Sequence, residues 1–292
     1  MLDLRDLEFL SALALHKHFA RAAEACGVSQ PAFSMRIRKI EERLDTQIVR
    51  RGNRFQGLTT EGETVVRHAR RVLDEVKALE QEIRAVRGEI SGELALGVIP
   101  TAMAYAGRLV QRLRQAHPGI TVRLQAASSL AVQQGIEHGV FDAGITYTEG
   151  ASPDLMRIEP IYEESYVLLA PRALAPRLTG QVGWAELAEV PLSLLEPGMQ
   201  NRRILDQVFE DVGVHPHVVA ETSGFTASLV MTVEGLAATV VPRVLLESLG
   251  GFEATVALPL VDPVVEKSVS LVTPVRGAGL PTVAALRRVL DV

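Results

Sequence analysis

Five side chains between residues 30 and 39 have the chemistry to read a nucleic-acid groove. Gln30, Ser34, Met35, Arg38 and Lys39 supply an amide, a hydroxyl, a thioether and two cations. They fall away from an apolar stripe of Phe33, Ile37, Ile40 and Leu44, whose spacings of 4, 3 and 4 mark one face of a helix. Amide and guanidinium groups can hydrogen-bond base edges in the major groove, whereas Met can only touch a thymine methyl. Between Lys17 and Arg54 nine Lys/Arg stand against four Asp/Glu, a local balance of +5 that would neutralise phosphates. The plain alternative is a packing helix with a solvated basic face.

A second set of residues could hold a small anion. Pro100-Thr101, Ser128-Ser129, Asn201-Arg202 and Thr222-Ser223 each fall where an expected strand gives way to a helix. Helix N-termini present free N–H groups, and ligands of open parallel sheets bind outside the carboxyl ends of the strands. Ser, Thr and Asn are also ordinary N-caps, so one such junction alone reads as a cap. Four converging on one cleft read as a site, with Thr101 foremost and Arg202 as anion partner or surface charge.

Catalytic patterns are missing. The chain has no P-loop, GxGxxG, HExxH or GxSxG motif. His215 and His217 could share a strand face, but no further Cys or His lies near them to complete a metal site. The expectation is no enzyme, no metal and no cofactor, with a small-molecule effector as the bound species. Cys26 is the only cysteine, so an internal disulfide is excluded. Its position on a short helix reads as a small buried hydrophobe rather than a redox switch.

These residues need particular elements to hold them. Leu4 to His16 reads as a first helix supported by Leu7, Leu10 and Leu15, and Phe19 to Cys26 as an Ala-rich second one. Gly27-Val28 makes the turn, Ser29 caps the next helix, and Pro31 falls in its first turn. Ile48 to Leu58 contains a short wing with Gly52-Asn53 at its tip. Thr60 and Glu63 form a capping box for a long helix. Along that helix, about 40 Å long, Val65, Ala69, Val72, Val76, Leu79, Ile83 and Val86 alternate spacings of 4 and 3, a coiled-coil seam about three heptads long with charged flanks. A second copy should cover it.

After a hinge at Gly88 to Gly92, expected strands alternate with helices, which argues for parallel sheet with crossover connections. Expected strands are 94–99, 120–126, 143–146, 166–170, 192–195, 217–221, 236–241, 256–258 and 268–272. Expected helices are 102–115, 131–138, 201–212, 226–233 and 281–290.

The totals agree with a multidomain α/β chain. Its 292 residues are 47% hydrophobic, which allows ample core. The net charge of −5 divides into +2 for residues 1–90 and −7 for residues 91–292. No run of eighteen apolar residues occurs, and the amino terminus is acidic rather than leader-like. A cytoplasmic protein without membrane contact is expected.

The chain resembles the LysR-type transcriptional regulators. The residues that carry the likeness are Leu7-Glu8-Phe9-Leu10, Phe19-Ala20-Arg21-Ala22-Ala23, Val28-Ser29-Gln30-Pro31-Ala32, Ser34, Ile37, Glu41 and Leu58-Thr59-Thr60-Glu61-Gly62. The resemblance implies a winged helix-turn-helix over 1–60, a dimerisation helix and hinge over 61–90, and an effector domain over 91–292. That domain would have two α/β lobes like those of periplasmic solute-binding proteins, one of 91–162 plus 267–292 and one of 163–266. It implies that Ser29, Gln30, Pro31, Ser34 and Met35 face the bases, with Arg36 and Arg38 on the same helix. Arg51 and Arg54 would hold phosphate or minor groove from the wing. Met35 and Arg36 depart from the family pattern, which more often has a polar or basic residue and an amide there. The implied partners are double-stranded DNA, a small effector and further copies of the chain, as a homodimer or a tetramer of paired dimers. A ligand-blind architectural DNA binder and a solute-binding protein are the rival readings.

Overall fold

The computed structural model describes residues 1–50, 55–174, 180–275 and 279–290. Three helices form the amino-terminal head: α1 (Leu4–His16), α2 (Phe19–Ala25) and α3 (Gln30–Leu44). Asp3 and Asp6 cap α1 reciprocally, and Ser29 caps α3 with Pro31 in the first turn. Gly27 makes the turn at φ +65°, a backbone state that suits glycine. Phe33, Ile37 and Ile40 are buried against Phe9, Leu10 and Leu13, and the Phe9 and Phe33 rings stack at 4.8 Å. Leu44 and Leu15, expected to support this core, are instead exposed, Leu44 as the last residue of α3. Val49 bridges Leu58 at the base of the wing, and the Glu41 carboxylate accepts the Ile48 and Val49 N–H groups.

The long helix α4 (Thr60–Val86) is capped by Thr59, not by Thr60 and Glu63. Thr59 Oγ1 accepts the Gly62 N–H at 2.9 Å, and the Thr59 N–H is itself fixed on the Ile48 carbonyl. The wing therefore sets the helix start one residue earlier than the Thr-x-x-Glu pattern indicates. Gly62 lies against Ile48 so closely that a Cβ would collide with its carbonyl.

One face of α4 belongs to its own chain. Val66 and Ala69 enter the head core, Ala78 enters the core of the second domain, and Gln81 is 3% exposed. Gln81 Oε1 accepts both the N–H and the hydroxyl of Thr282, while Lys77 Nζ sits 2.7 Å from both Asp142 oxygens. Ala69 thus serves the intrachain core rather than the seam, and Val65 is half-buried against the head. Both sit where α4 crosses α1. The open apolar face starts at Val72 and continues through Val76, Leu79, Ile83 and Val86, with Leu79 57% exposed.

Two lobes follow. The first builds β1 (Gly92–Val98), α5 (Met103–Ala116), β2 (Ile120–Ala126), α6 (Ser129–Glu137) and β3 (Ala143–Tyr147) into a parallel set ordered β2-β1-β3. A single strand, β4 (Met156–Pro171), then runs through both lobes. Its first ten residues pair with β10 (Glu266–Pro274), which also pairs with β3. From Tyr166 onward it lies between β8 (Thr239–Pro242) and β9 (Thr255–Val261). The second lobe adds β5 (Val182–Gly183), β6 (Leu192–Leu195), α7 (Gln200–Asp211), β7 (Val218–Thr222), α8 (Phe225–Val233) and α9 (Arg243–Leu249); α10 (Pro281–Arg288) returns to the first. The expected strand at 236–241 starts only at Thr239, and α9 follows Pro242 unanticipated. The described chain passes between the lobes within β4 and again between β9 and β10.

Candidate functional site

The outward face of α3 is built by the packing of its inward one. With Phe33, Ile37 and Ile40 buried, Gln30, Pro31, Met35, Arg38 and Lys39 are exposed and Ser34 is half-buried. Gln30 Nε2 donates to Ser34 Oγ at 3.0 Å, so amide and hydroxyl form one polar unit on the first turn. Met35 is 68% exposed, an apolar knob beside them. Ser29 lies at the N-terminus, its side chain turned to the Ala32 N–H.

Arg36 does not belong to this face. Its guanidinium donates to Asp6 Oδ1 at 2.8 Å and to both Asp3 oxygens, and it lies over the Phe9 ring. Burial works against its charge, but the bonds to Asp6 and Asp3 outweigh that and raise its pKa. Asp6 is buried and also takes Arg43 Nη1 at 2.9 Å. The acidic Asp3-x-x-Asp6 start of α1 is the sequence signal for this clamp. Arg51 and Arg54 lie outside the described residues; Arg50 is exposed at the wing base, its Nε on the Leu58 carbonyl.

Between the lobes lies a cavity of about 230 Å³. Pro100, Thr101, Ser128, Ser129, Asn201 and Ser223 all line it, as the loop-helix junctions require. Ile99, Ala126, Ala127, Tyr147, Leu195, Met199 and Gln200 complete the wall. Asn201 is 4% exposed, yet neither its amide nitrogen nor its oxygen has a hydrogen-bond partner. Ser129 Oγ is buried and unpartnered as well. Buried polar groups are almost always satisfied, and leaving one unmade costs about 1–3 kcal/mol.

Two expected members are elsewhere. Arg202 Nε and Nη1 bind Asp206 and Glu221, and Nη1 also reaches the Leu195 carbonyl. Burial opposes its charge, but those two carboxylates outweigh it and raise the pKa, so the cation is neutralised inside the second lobe. The helical turn that brings Asn201 to the cavity carries the next residue away from it. Thr222 Oγ1 is bound to the Gly224 carbonyl and to Ser228 Oγ, closing the β7–α8 turn.

Sequence reading missed the layer behind Thr101. Tyr147 donates its hydroxyl to Glu164 Oε1 at 2.7 Å, Tyr166 donates to the same oxygen at 2.9 Å, and Thr101 Oγ1 is 3.3 Å from the Tyr147 hydroxyl. Glu164 is 1% exposed; burial pushes its carboxyl up, against the pull of the tyrosine hydrogen bonds. Burial likewise raises Tyr147 and Tyr166. Strand alternation puts Tyr162, Glu164 and Tyr166 on one side of β4, and an acid between two tyrosines in an apolar strand was the available clue. Among the described residues no cluster of three His, Cys, Asp or Glu could hold a metal.

Comparison with known proteins agrees with this division of the chain. Residues 4–63 match the bacterial regulatory helix-turn-helix protein, lysR family, and residues 87–291 match the LysR substrate binding domain. The DNA-binding transcriptional dual regulator OxyR of Escherichia coli K12 is 30% identical over 99% of this chain and 96% of its own length. The hydrogen peroxide-inducible genes activator of Haemophilus influenzae is 35% identical over 66% of this chain; that match spans 62% of the activator. Two similar activators, of Dickeya chrysanthemi and Pectobacterium carotovorum, are each matched over 65% of their length. A full-length OxyR cysteine variant of Pseudomonas aeruginosa superposes with a TM-score of 0.74 at 24% identity, covering 100% of this chain and 94% of that one. CbnR in complex with its target DNA gives 0.65 at 21% identity over 99% of both chains. A reading helix at one end and a two-lobed domain at the other, each matched by its own family model, make this chain a member of the LysR family.

Proposed function

We propose that the chain is a sequence-specific DNA-binding transcriptional regulator whose output is set by a small molecule held between its two lobes. The observation that carries the effector half is Asn201, a buried amide with no partner on the wall of the inter-lobe cavity. A ligand-blind DNA binder has no use for that cost. Gln30, Ser34 and Met35 read bases in this proposal, Ser29 and Pro31 set the helix start against the backbone, and Arg38 and Lys39 meet phosphates. The wing arginines 51 and 54 are assigned the same phosphate role from sequence alone. Thr101, Ser128, Ser129, Asn201 and Ser223 hold the effector, and Pro100 shapes the wall.

The open face of α4 is assigned to a second copy. Val72, Val76 and Leu79 line a shallow apolar groove with Arg71 and Glu75 on its edges, and a seam of this kind is covered by an identical helix. The protein acts in the cytoplasm, without catalysis or cofactor; no helix among the described residues is long and apolar enough to cross a membrane. Relatives named for hydrogen peroxide do not extend that stimulus to this chain. Its single cysteine, Cys26, lies in the head, where burial and Glu8 push the thiol up and away from reactivity.

The test selects binding sites from random DNA with the full chain. A defined motif, altered by Gln30→Ala and weakened by salt, is expected. A metabolite library is then screened for molecules that shift both thermal stability and the footprint, with Asn201→Leu as the control. Absence of a selected motif overturns the DNA assignment, and a footprint-shifting metabolite indifferent to Asn201→Leu overturns the cleft.

A further inference from the structure

We infer that the effector is a small hydroxy-carboxylate, a single anionic group beside a hydroxyl, recognised without any cationic side chain. This deepens the cleft reading above and rests on it.

The charge comes first. No Arg, Lys or His is among the described residues that line the cavity, and Arg202 is already neutralised by Asp206 and Glu221. What the cavity does hold is the start of two helices, α6 at Ser129 and α7 at Gln200. Each helix start carries about half a positive charge on N–H groups that have no intrahelical acceptor. Met199 supplies no side-chain cap to α7, so its first-turn amides stay open. Ser128 Oγ takes one α6 amide, that of Ala131, and leaves the others open, so the two ends together balance at most about one negative charge. The unpartnered Ser129 Oγ and Asn201 amide lie beside these ends, buried and without other work. A monoanion fits this set; a dianion would lack countercharge.

The hydroxyl follows from the direction of one hydrogen bond. Tyr147 has a single proton, and it is given to Glu164 Oε1 at 2.7 Å. Tyr147 can then only accept from Thr101, 3.3 Å away, so the Thr101 proton points inward to the tyrosine. Thr101 Oγ1 is left with lone pairs toward the cavity and asks its ligand for a donor. An ammonium group would bring a full positive charge to a wall with no acidic side chain among its described residues, so the donor is a hydroxyl. At ~30 Å³ per water, the cavity of about 230 Å³ has room for roughly seven or eight waters, the size of a small organic acid.

Matched pairs test this with the full chain: propanoate against lactate, phenylacetate against each hand of mandelate, and neutral mandelamide. Calorimetry should show one hydroxy acid binding about ten-fold or more tightly than its deoxy partner, with the amide weaker than both. Thr101→Val should abolish the difference within a pair while the acid still binds. Tyr147→Phe removes the group that takes the Thr101 proton, so the preference should shrink there too. Equal binding of hydroxy and deoxy acids, equal binding of the amide, or no binding by any member overturns the class. A hydroxy acid that binds wild type and Asn201→Leu alike overturns the cleft itself.

Discussion

The head and the cleft are both arranged for negative charge, and they do it in opposite ways. On α3 the cations Arg38 and Lys39 are complete charges on a convex, exposed face, where water satisfies them until a partner arrives. In the cleft no described cationic side chain is present, and the attraction rests on helix ends and on groups buried without partners. Full charges on a surface suit a polyanion, are screened by salt and act at a distance. Partial charges in a cavity suit one small ion at contact range, with little dependence on salt. On the function proposed above, one molecule would tell a duplex from a metabolite by where it keeps its charge.

The largest expected effect breaks the head and spares the cleft. Asp6→Ala leaves Arg36 and Arg43 without their buried partner and removes half of the α1 capping box. It should cost about 2–3 kcal/mol, the loss of charge-assisted hydrogen bonds and of a cap, because both arginines reach solvent and Arg36 keeps Asp3. Hydrogen exchange should rise across α1 to α3 and stay low in β1 and β3; uniform loss of protection would mean that the two regions unfold as one. Next come the exposed groups. Gln30→Ala should lose about 1–3 kcal/mol on the selected site and change base preference. Arg38→Ala should weaken all sequences alike and reduce the salt slope by about 1. Neither should alter binding of a small acid, and titrations at two salt concentrations check both halves of that statement.

A smaller effect sharpens the cleft side. Burial holds the Glu164 pKa above its ordinary value near 4.5, so the folded protein binds this proton more tightly than the unfolded chain does. Stability from this group therefore falls as pH rises from the unfolded value through the folded one. Glu164→Gln keeps the shape and an acceptor for Tyr147 and Tyr166, so it should raise the melting temperature at pH 7–8 and flatten that slope. An unchanged slope would mean that Glu164 ionises freely where it stands. Smallest of all is peroxide: treatment that oxidises free thiols should leave the effector-dependent footprint unchanged. A peroxide-driven footprint lost in Cys26→Ser would refute this.

Much of the fold was legible because periodicity records burial. The stripe of Phe33, Ile37 and Ile40 and the alternation of strands and helices after Gly92 both follow from which side faces a core. Six of the eight residues expected at the cleft line the cavity, because strand-to-helix junctions must gather at one end of a sheet. What could not be read was the assignment of partners. Arg36 and Arg202 look like free cations until Asp6 and Glu221, 30 and 19 residues distant in sequence, are seen beside them. Thr59 outcompetes Thr60 as cap only because the wing fixes its backbone. Ala69 satisfies the seam pattern, but an alanine fits equally where two helices of one chain cross closely.

The division of α4 between two cores bears on how such proteins can be recombined. Its first half is packed into the head through Val66 and Ala69, and its second half into the first lobe through Ala78 and Gln81. Swapping modules at either end of the helix would tear one of those cores. A splice between Arg71 and Val72 leaves both intact and keeps Asp74, which lies against Gly139, with the first lobe, so viable hybrids of reading heads and sensor domains should have their junction there. The join must also keep count: each residue added or removed turns the head by about 100° and shifts it by about 1.5 Å. Hybrids out of register would then hold intact parts aimed at the wrong side of the duplex.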